Sequence, residues 1–343
     1  MPRVDIDRDA YVRRMERRVR WGWRVSRMRR RLSGSSAPVQ AAAYDRTFRS
    51  DAEAVTYHYA VRNDHLPDFD HPTWINEKVR WQFLNHANPL MGIAADKAAV
   101  RDYLRYKDAQ IPAPALYAVG AGRDALLAAD LPERYVLKST SGWAQNRFVA
   151  CPVRDARRHL GDAVAEWDRW DHWRFLGELH YRGIPKRWLA EEVIGTAARI
   201  TEYKFYCIMG EPQFFMYMTD RTGNDVRCSL FDPQWRPTPF HWSGYPPTAE
   251  RPEKRPAAYE KMLAEARRLS EDFMHVRVDF LECDGRVYFS ELTFAGGGAR
   301  NPFLPRIQNE VFAEMMDLSR AAGYAERGRA ISSTLTMPIH AAA

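Results

Sequence analysis

Thiol chemistry has little material in this chain. Its four cysteines, Cys151, Cys207, Cys228 and Cys283, stand far apart in 343 residues, with no Cys-x-x-Cys pair. That spacing argues against a thiolate zinc site and for reduced, packed thiols. No apolar run reaches the length of a membrane span, and the N-terminus is charged where a secretory leader needs an apolar core, so the sequence reads as cytosolic. The ten histidines show no helical ligand spacing, and no internal repeat is visible. Zinc-finger, RRM and KH patterns are missing too, so a net charge of +7 does not by itself indicate nucleic acid.

The charge is unevenly placed. Residues 1–31 hold twelve arginines and no lysine against Asp5, Asp7, Asp9 and Glu16, a balance of +8 that leaves the rest of the chain at −1. "YVRRMERRVRWGWRVSRMRRRL" can form a helix with Val12, Met15, Val19 and Trp23 on one side and Trp21, Val25, Met28 and Leu32 nearly opposite. It therefore has no single apolar stripe. Such a segment suits an anionic membrane surface or an acidic partner through residues 1–34, and its plainer reading is a solubilising or partly docked extension. "LSGSSAPVQAAA" (32–43) reads as a linker, with the folded body starting near Tyr44.

What is abundant is apolar and aromatic residue, 45% and 13% of the chain, enough for two or three domains and a buried site. "WINEKVRWQFLN" reads as a capped helix turning Trp74, Val79, Trp81 and Leu84 inward, and a second helix is expected at 96–108. Short strands follow at "RYVLKS" and "RWLAEEVI", separated by a helix at about 154–175. "TSGWAQNR", after the first of them, is a candidate phosphate-covering loop or an ordinary hairpin turn. Strands then crowd at "EYKFYCIM", "QFFMYMT" and "VRCSLF". An amphipathic helix carrying Tyr259, Met262, Leu263, Ala266 and Leu269 comes before a last hairpin. Helices alternating with antiparallel hairpins indicate an α+β fold.

The hairpin, "RVDFLECDGRVYFSELTF" (277–294), carries charge where a buried sheet wants apolar residues. Val276, Val278 and Phe280 form one side of its first strand, with Arg277 and Asp279 on the other. A two-residue Asp284-Gly285 turn would set Ser290 across from Asp279 and turn Glu291 away. A three-residue loop, or a bulge of the same effect, would set Glu291 across from Asp279 and Thr293 across from Arg277. The second register is expected here. Two carboxylates beside an arginine suit a divalent cation that also holds phosphates, whereas a solvated hairpin face with a salt bridge is the plainer alternative.

These phrases, with "NPL", "ADKAAVRDYL", "LPERYVLKS", "GELHY", "PKRWLAEEVI", "TDR" and the "GGG" after the hairpin, resemble in order the TupA-like branch of the ATP-grasp superfamily, linked to cell-surface polysaccharide synthesis. The resemblance runs from about residue 70 to 305. It implies two α+β lobes clamping ATP, with a basic tail and linker at 1–43, a helical region at 44–112, a lid subdomain at 113–195, a metal-bearing subdomain at 196–325 and a C-terminal tail at 326–343. It implies Lys97 and Lys138 at the ATP phosphates and Glu191 at the adenine amine. Backbone groups of Glu192 and Ile194 on an edge strand would read the purine, Glu202 would take the ribose, and Lys204 would reach the phosphates. Mg²⁺ would lie on Asp279, Glu291 and Thr293, the last replacing a more usual Asn, and Arg277 would face the transferred phosphoryl group. The implied activity is carboxylate-amine ligation through an acylphosphate on a cell-surface polymer precursor. The alternatives are a sugar or polyol kinase and a non-catalytic assembly factor at the membrane. An acidic substrate would meet the polar region of Glu178, His180, Tyr181, Arg221 and Arg300. No nucleic-acid partner is expected.

Overall fold

The computed structural model describes residues 7–33, 38–150, 154–195, 200–219, 227–245 and 255–336. The chain opens with helices α1 (Arg8–Ser33), α2 (Val39–Thr47), α3 (Asp51–Ala60), α4 (Ile75–Asn85), α5 (Leu90–Ala95) and α6 (Val100–Tyr106). Strand β1 (Leu116–Gly120) and helix α7 (Gly122–Ala128) lead to β2 (Tyr135–Ser139) and β3 (Asn146–Val149), then α8 (Arg154–Trp167), α9 (His172–Leu176) and β4 (Trp188–Glu191). Next come β5 (Thr201–Ile208), β6 (Glu211–Thr219), β7 (Arg227–Phe231), β8 (His241–Trp242) and α10 (Tyr259–Ser270). The hairpin β9 (His275–Cys283) and β10 (Arg286–Thr293), β11 (Phe303–Leu304), α11 (Ile307–Glu314) and α12 (Ala321–Thr336) complete it.

Two antiparallel sheets divide the work. The smaller has the order β1-β4-β2-β3, and α7 and α8 cover one face by packing Leu126, Leu160, Val164 and Trp167 on Tyr135, Leu137, Trp188 and Ala190. The larger, β10-β9-β5-β6-β7, buries Phe205, Val276, Val278 and Phe280 on one face against α6 and α10. Its other face meets Ile75 and Val79 of α4 and Phe312 of α11 through Tyr206, Ile208 and Phe214. Alternation then puts Lys204, Arg277 and Asp279 on that second face.

Several expectations change. The folded body begins before Tyr44: Tyr11, Val12 and Met15 of α1 form a small core with Tyr57 and Ala60, and Val39 already opens α2 inside the expected linker. Residues 34–37 of that linker lie outside the described residues, as do 1–6. The expected C-terminal tail is helical to Thr336, with Ile331 buried, and residues 337–343 are outside the description. The helix expected from Asp96 begins only at Val100, because Asp96 Oδ1 accepts from the amides of Ala98 and Ala99 in a capping turn. In α4, Trp81 and Leu84 are half-buried while Arg80 and Gln82 are buried. The Arg80 guanidinium donates to the carbonyls of Val55, Leu176, Gly298 and Ala299, so backbone acceptors take the place of an acidic partner.

Candidate functional site: a cation-ringed carboxylate pair

The hairpin settles its register by two local devices. Asp284 and Gly285 form a two-residue turn with φ of 53° and 77°, both left-handed, as a tight hairpin with right-handed twist requires. A bulge between Phe289 and Glu291 then shifts the pairing by one, so Glu291 faces Asp279 and Thr293 faces Arg277. The expected register is thus reached by the bulge, and the three-residue loop is not used. Phe289 donates its N–H to Pro112 O at 2.8 Å, tying the strand to the loop before β1 beside the bulge.

Asp279 is 1% exposed and is gripped from two strands. Arg277 donates to both its oxygens, each at 2.7 Å, and Lys204 Nζ stands 2.9 Å from Oδ2. Lys204 also pairs with Glu202 at 2.6 Å, and these two carboxylates raise its pKa although burial works the other way. Glu291 lies 3.3 Å from Lys97 and 3.6 Å from Arg277, and accepts from Thr293 Oγ1 at 3.2 Å. Burial alone would raise the Glu291 pKa. Lys97, Lys204, Arg277 and Lys138 outweigh it and hold the group down at about 2.

The smaller sheet supplies the facing wall. Lys138 on β2 reaches Glu191 on the neighbouring β4 at 2.5 Å, and Arg101 of α6 takes the other Glu191 oxygen at 2.9 Å. A narrow recess runs between Lys138 and Glu191 of this sheet, Lys97 and Arg101 around the start of α6, and Phe289 and Ser290 of the hairpin. Lys97 links sheet and hairpin: its Nζ donates to Gly142 O of the β2–β3 loop at 2.7 Å while pairing with Glu291. That loop leans on α9 and the segment after it. Trp143 Nε1 donates to Glu178 at 3.2 Å, and the His172 ring meets Trp143 O at 3.0 Å.

The structure therefore gathers Lys97, Lys138, Glu191, Glu202, Lys204, Arg277, Asp279, Glu291 and Thr293 along one cleft. Sequence reasoning does not single out Arg101, which stands four residues after Lys97 in the first turn of α6. Two expectations about the purine side are corrected. β4 is not an edge strand, since β1 and β2 pair with it on both sides. The N–H of Glu192 is already donated to Ala115 O at 2.8 Å, and its carboxylate accepts from Ala115 N, so that N–H is not open to a purine. Ile194 is buried just beyond the strand. Of the expected acidic-substrate region, Glu178 is buried with its pKa pushed up to about 7, His180 is packed against Phe83 and Tyr181, and Arg300 donates to Gly297 O. Arg221 lies outside the described residues.

Whether Mg²⁺ suits this cleft can be judged from its donors. Among the described residues no group of three or more acidic, His or Cys side chains is arranged around a common point. Asp279, Glu291 and Thr293 instead offer two facing carboxylates and one hydroxyl, all hard oxygens, and each carboxylate keeps lone pairs beyond those its cations use. That set fits a cation completed by phosphate oxygens, with Lys97, Lys138, Lys204 and Arg277 ready for the remaining negative charge.

Among curated protein sequences none matches the chain significantly. Similar solved structures include the D-alanine–D-alanine ligase of Helicobacter pylori, 14% identical, with 68% of this chain and 61% of that chain covered and a TM-score of 0.36. The ATP complex of the Bacillus anthracis D-alanine–D-alanine ligase is 16% identical over 71% of this chain and 68% of that chain, with a TM-score of 0.38. The chain thus spans less than two thirds of the Helicobacter enzyme's length. The model of the TupA-like ATPgrasp family matches residues 77–316, more than two thirds of the chain and all of the cleft just described, and the chain belongs to that family.

Proposed function

We propose that this protein is an ATP- and Mg²⁺-dependent carboxylate-amine ligase that joins an acidic precursor of a cell-surface polymer to an amine. The observation that carries the reading is the facing pair Asp279 and Glu291 inside a ring of four cations: Lys138 from the smaller sheet, Lys204 and Arg277 from the larger, and Lys97 from the turn before α6. In the first step a substrate carboxylate oxygen attacks the γ-phosphorus of ATP, forming an acylphosphate and releasing ADP. In the second the amine attacks the acyl carbon, phosphate leaves, and the nitrogen loses its proton as the amide forms.

The chain's residues divide these tasks. Lys97, Lys138 and Lys204 present compact cations to the phosphates, and Glu191 with Arg101 fixes the aim of Lys138. Arg277, braced by Asp279, faces the charge that develops on the phosphoryl oxygens and then on the tetrahedral oxyanion. Glu202 takes the ribose, and the Glu192 carbonyl and Ile194 lie toward the purine. The loop carrying Trp143 covers the acylphosphate and keeps water from it. Asp279, Glu291 and Thr293 would hold Mg²⁺, which supplies Lewis-acid charge neutralisation at the phosphates when bound. We place the enzyme on the cytoplasmic side of an anionic membrane, where such precursors are assembled.

The test follows the phosphate. Incubation with ATP, Mg²⁺, candidate acidic precursors and hydroxylamine should yield ADP and a hydroxamate, because hydroxylamine stands in for the amine. Asp279→Asn should abolish both while leaving the circular dichroism unchanged. A stable phosphomonoester with no hydroxamate would replace the ligase reading with that of a kinase.

A further inference from the structure

Helix α1 has two faces with different employment. Its inner face packs: Tyr11, Val12, Met15, Gly22 and Ser26 are buried. Arg18 reaches Glu53 at 2.6 Å, and Arg8 Nε donates to Ala60 O at 2.8 Å. At Gly22 a Cβ would stand 2.5 Å from Thr47 Oγ1 and 3.0 Å from Ala43 O, so only glycine permits α1 and α2 to cross this closely. These contacts fix which side of α1 points outward.

On the outer side, with 100° per residue, Arg14, Arg17, Trp21, Arg24, Met28 and Leu32 fall within an arc of about 80°. Trp21 is 57% exposed, Met28 56% and Leu32 80%. Nine arginines between residues 13 and 31 are exposed, and from residue 10 to 33 the single acid is Glu16, which is half-buried. The two apolar sides visible in the sequence thus have separate employment: one closes the α1–α3 core, while Trp21, Met28 and Leu32 of the other remain uncovered.

We infer that this outer stripe seats the protein on an anionic phospholipid bilayer, with Trp21, Met28 and Leu32 entering the headgroup region and Arg14, Arg17 and Arg24 meeting lipid phosphates. Charge complementarity selects this occupant. A second copy would bring two arginine-covered faces together, and a nucleic acid would leave three large apolar side chains without a use. Large apolar side chains interspersed with arginines on one exposed face let a helix lie in the interface plane, the arginine stems reaching up to the phosphates. This inference rests on the membrane-side placement proposed above and is independent of the ATP chemistry.

Flotation of the full-length protein with phosphatidylcholine vesicles, with and without phosphatidylglycerol, tests it. The protein should float with the anionic vesicles only, and less as KCl rises. The triple variants Trp21→Ser/Met28→Ser/Leu32→Ser and Arg14→Gln/Arg17→Gln/Arg24→Gln should each weaken partitioning by at least about tenfold. Thermal midpoints should stay unchanged, since all six positions are exposed. If the wild type floats and both variants float equally well, the stripe is overturned while the membrane placement stands on another surface. A wild type that ignores anionic vesicles at low ionic strength overturns both. A dimer seen by light scattering and dissociated by the triple Ser variant assigns the stripe to a second copy and also overturns the inference.

Discussion

Replacing Glu291 with Gln should destabilise the ligand-free protein, although Glu291 lies in the proposed catalytic cleft, where removing a charge often relieves strain. The reason is the company it keeps. Lys97 and Arg277 lie 3.3 and 3.6 Å away, and Lys204 and Lys138 add to the field that holds its pKa near 2 instead of the ordinary 4.5. At about 1.36 kcal/mol per pKa unit that corresponds to roughly 3 kcal/mol favouring the charged, folded form. The side chain is 30% exposed, so water screens part of this, and a measured loss of about 2 kcal/mol is expected. The sign with pH follows from a depressed folded-state pKa. The contribution is full above about pH 4.5 and is lost as the pH falls from there toward 2, so the gap between wild type and Glu291→Gln should close over that window. Urea unfolding of both proteins at pH 7, 4 and 3 without nucleotide measures it. A difference below about 0.5 kcal/mol at neutral pH, or one that persists unchanged at pH 3, would refute the argument.

Two further substitutions probe the supports of the cleft. Gly142→Ala meets a φ of +87° and places a Cβ 2.1 Å from the His172 ring, so the ring must leave Trp143 O; KM for ATP should rise several-fold and trypsin should cut faster at Arg147, whereas unchanged kinetics would remove the loop from the ATP site. Arg80→Met leaves four buried carbonyls without their donor and should cost about 3–5 kcal/mol in urea unfolding, while a loss under about 1 kcal/mol would mean water replaces the guanidinium.

The larger sheet was legible because its alternation is strict: Val276, Val278 and Phe280 against Arg277 and Asp279 needed only the period of a strand. The Glu291 register was legible in outcome, with a bulge as one of two routes to it, but the choice between bulge and three-residue loop was not. Asp-Gly carries a strong local preference for the two-residue turn that forms, and the compensating bulge at Ser290 sits beside a bond from Phe289 to Pro112, a partner far away in sequence. The interior position of β4 was hidden for a similar reason, since its second neighbour β1 lies some seventy residues upstream. Arg101 left a signal, four residues after Lys97, that charge patterning alone does not distinguish from an exposed arginine. Arg80 left none, because a helix interior normally excludes an arginine with no acid to pair with, and its acceptors are backbone carbonyls from three distant segments.

Arg80 also bears on the order in which the protein can be made. Its guanidinium joins α4 to Ala299, 219 residues downstream, and the same region is sewn on by Asn76 to Asn301 O and by Lys78 to Ala313 O and Met316 O. At a ribosomal rate of about 5–20 residues per second, roughly ten to forty seconds separate the synthesis of Arg80 from that of its last acceptors. During that interval α4 stands at the ribosome with a buried-to-be cation and with the cluster around Ile75 and Val79 still lacking Ala299, Phe303 and Phe312, a period of exposure to chaperones and proteases. Nascent chains stalled before residue 298 should therefore be cleaved within residues 44–95, and chains stalled once residue 316 has cleared the exit tunnel should resist.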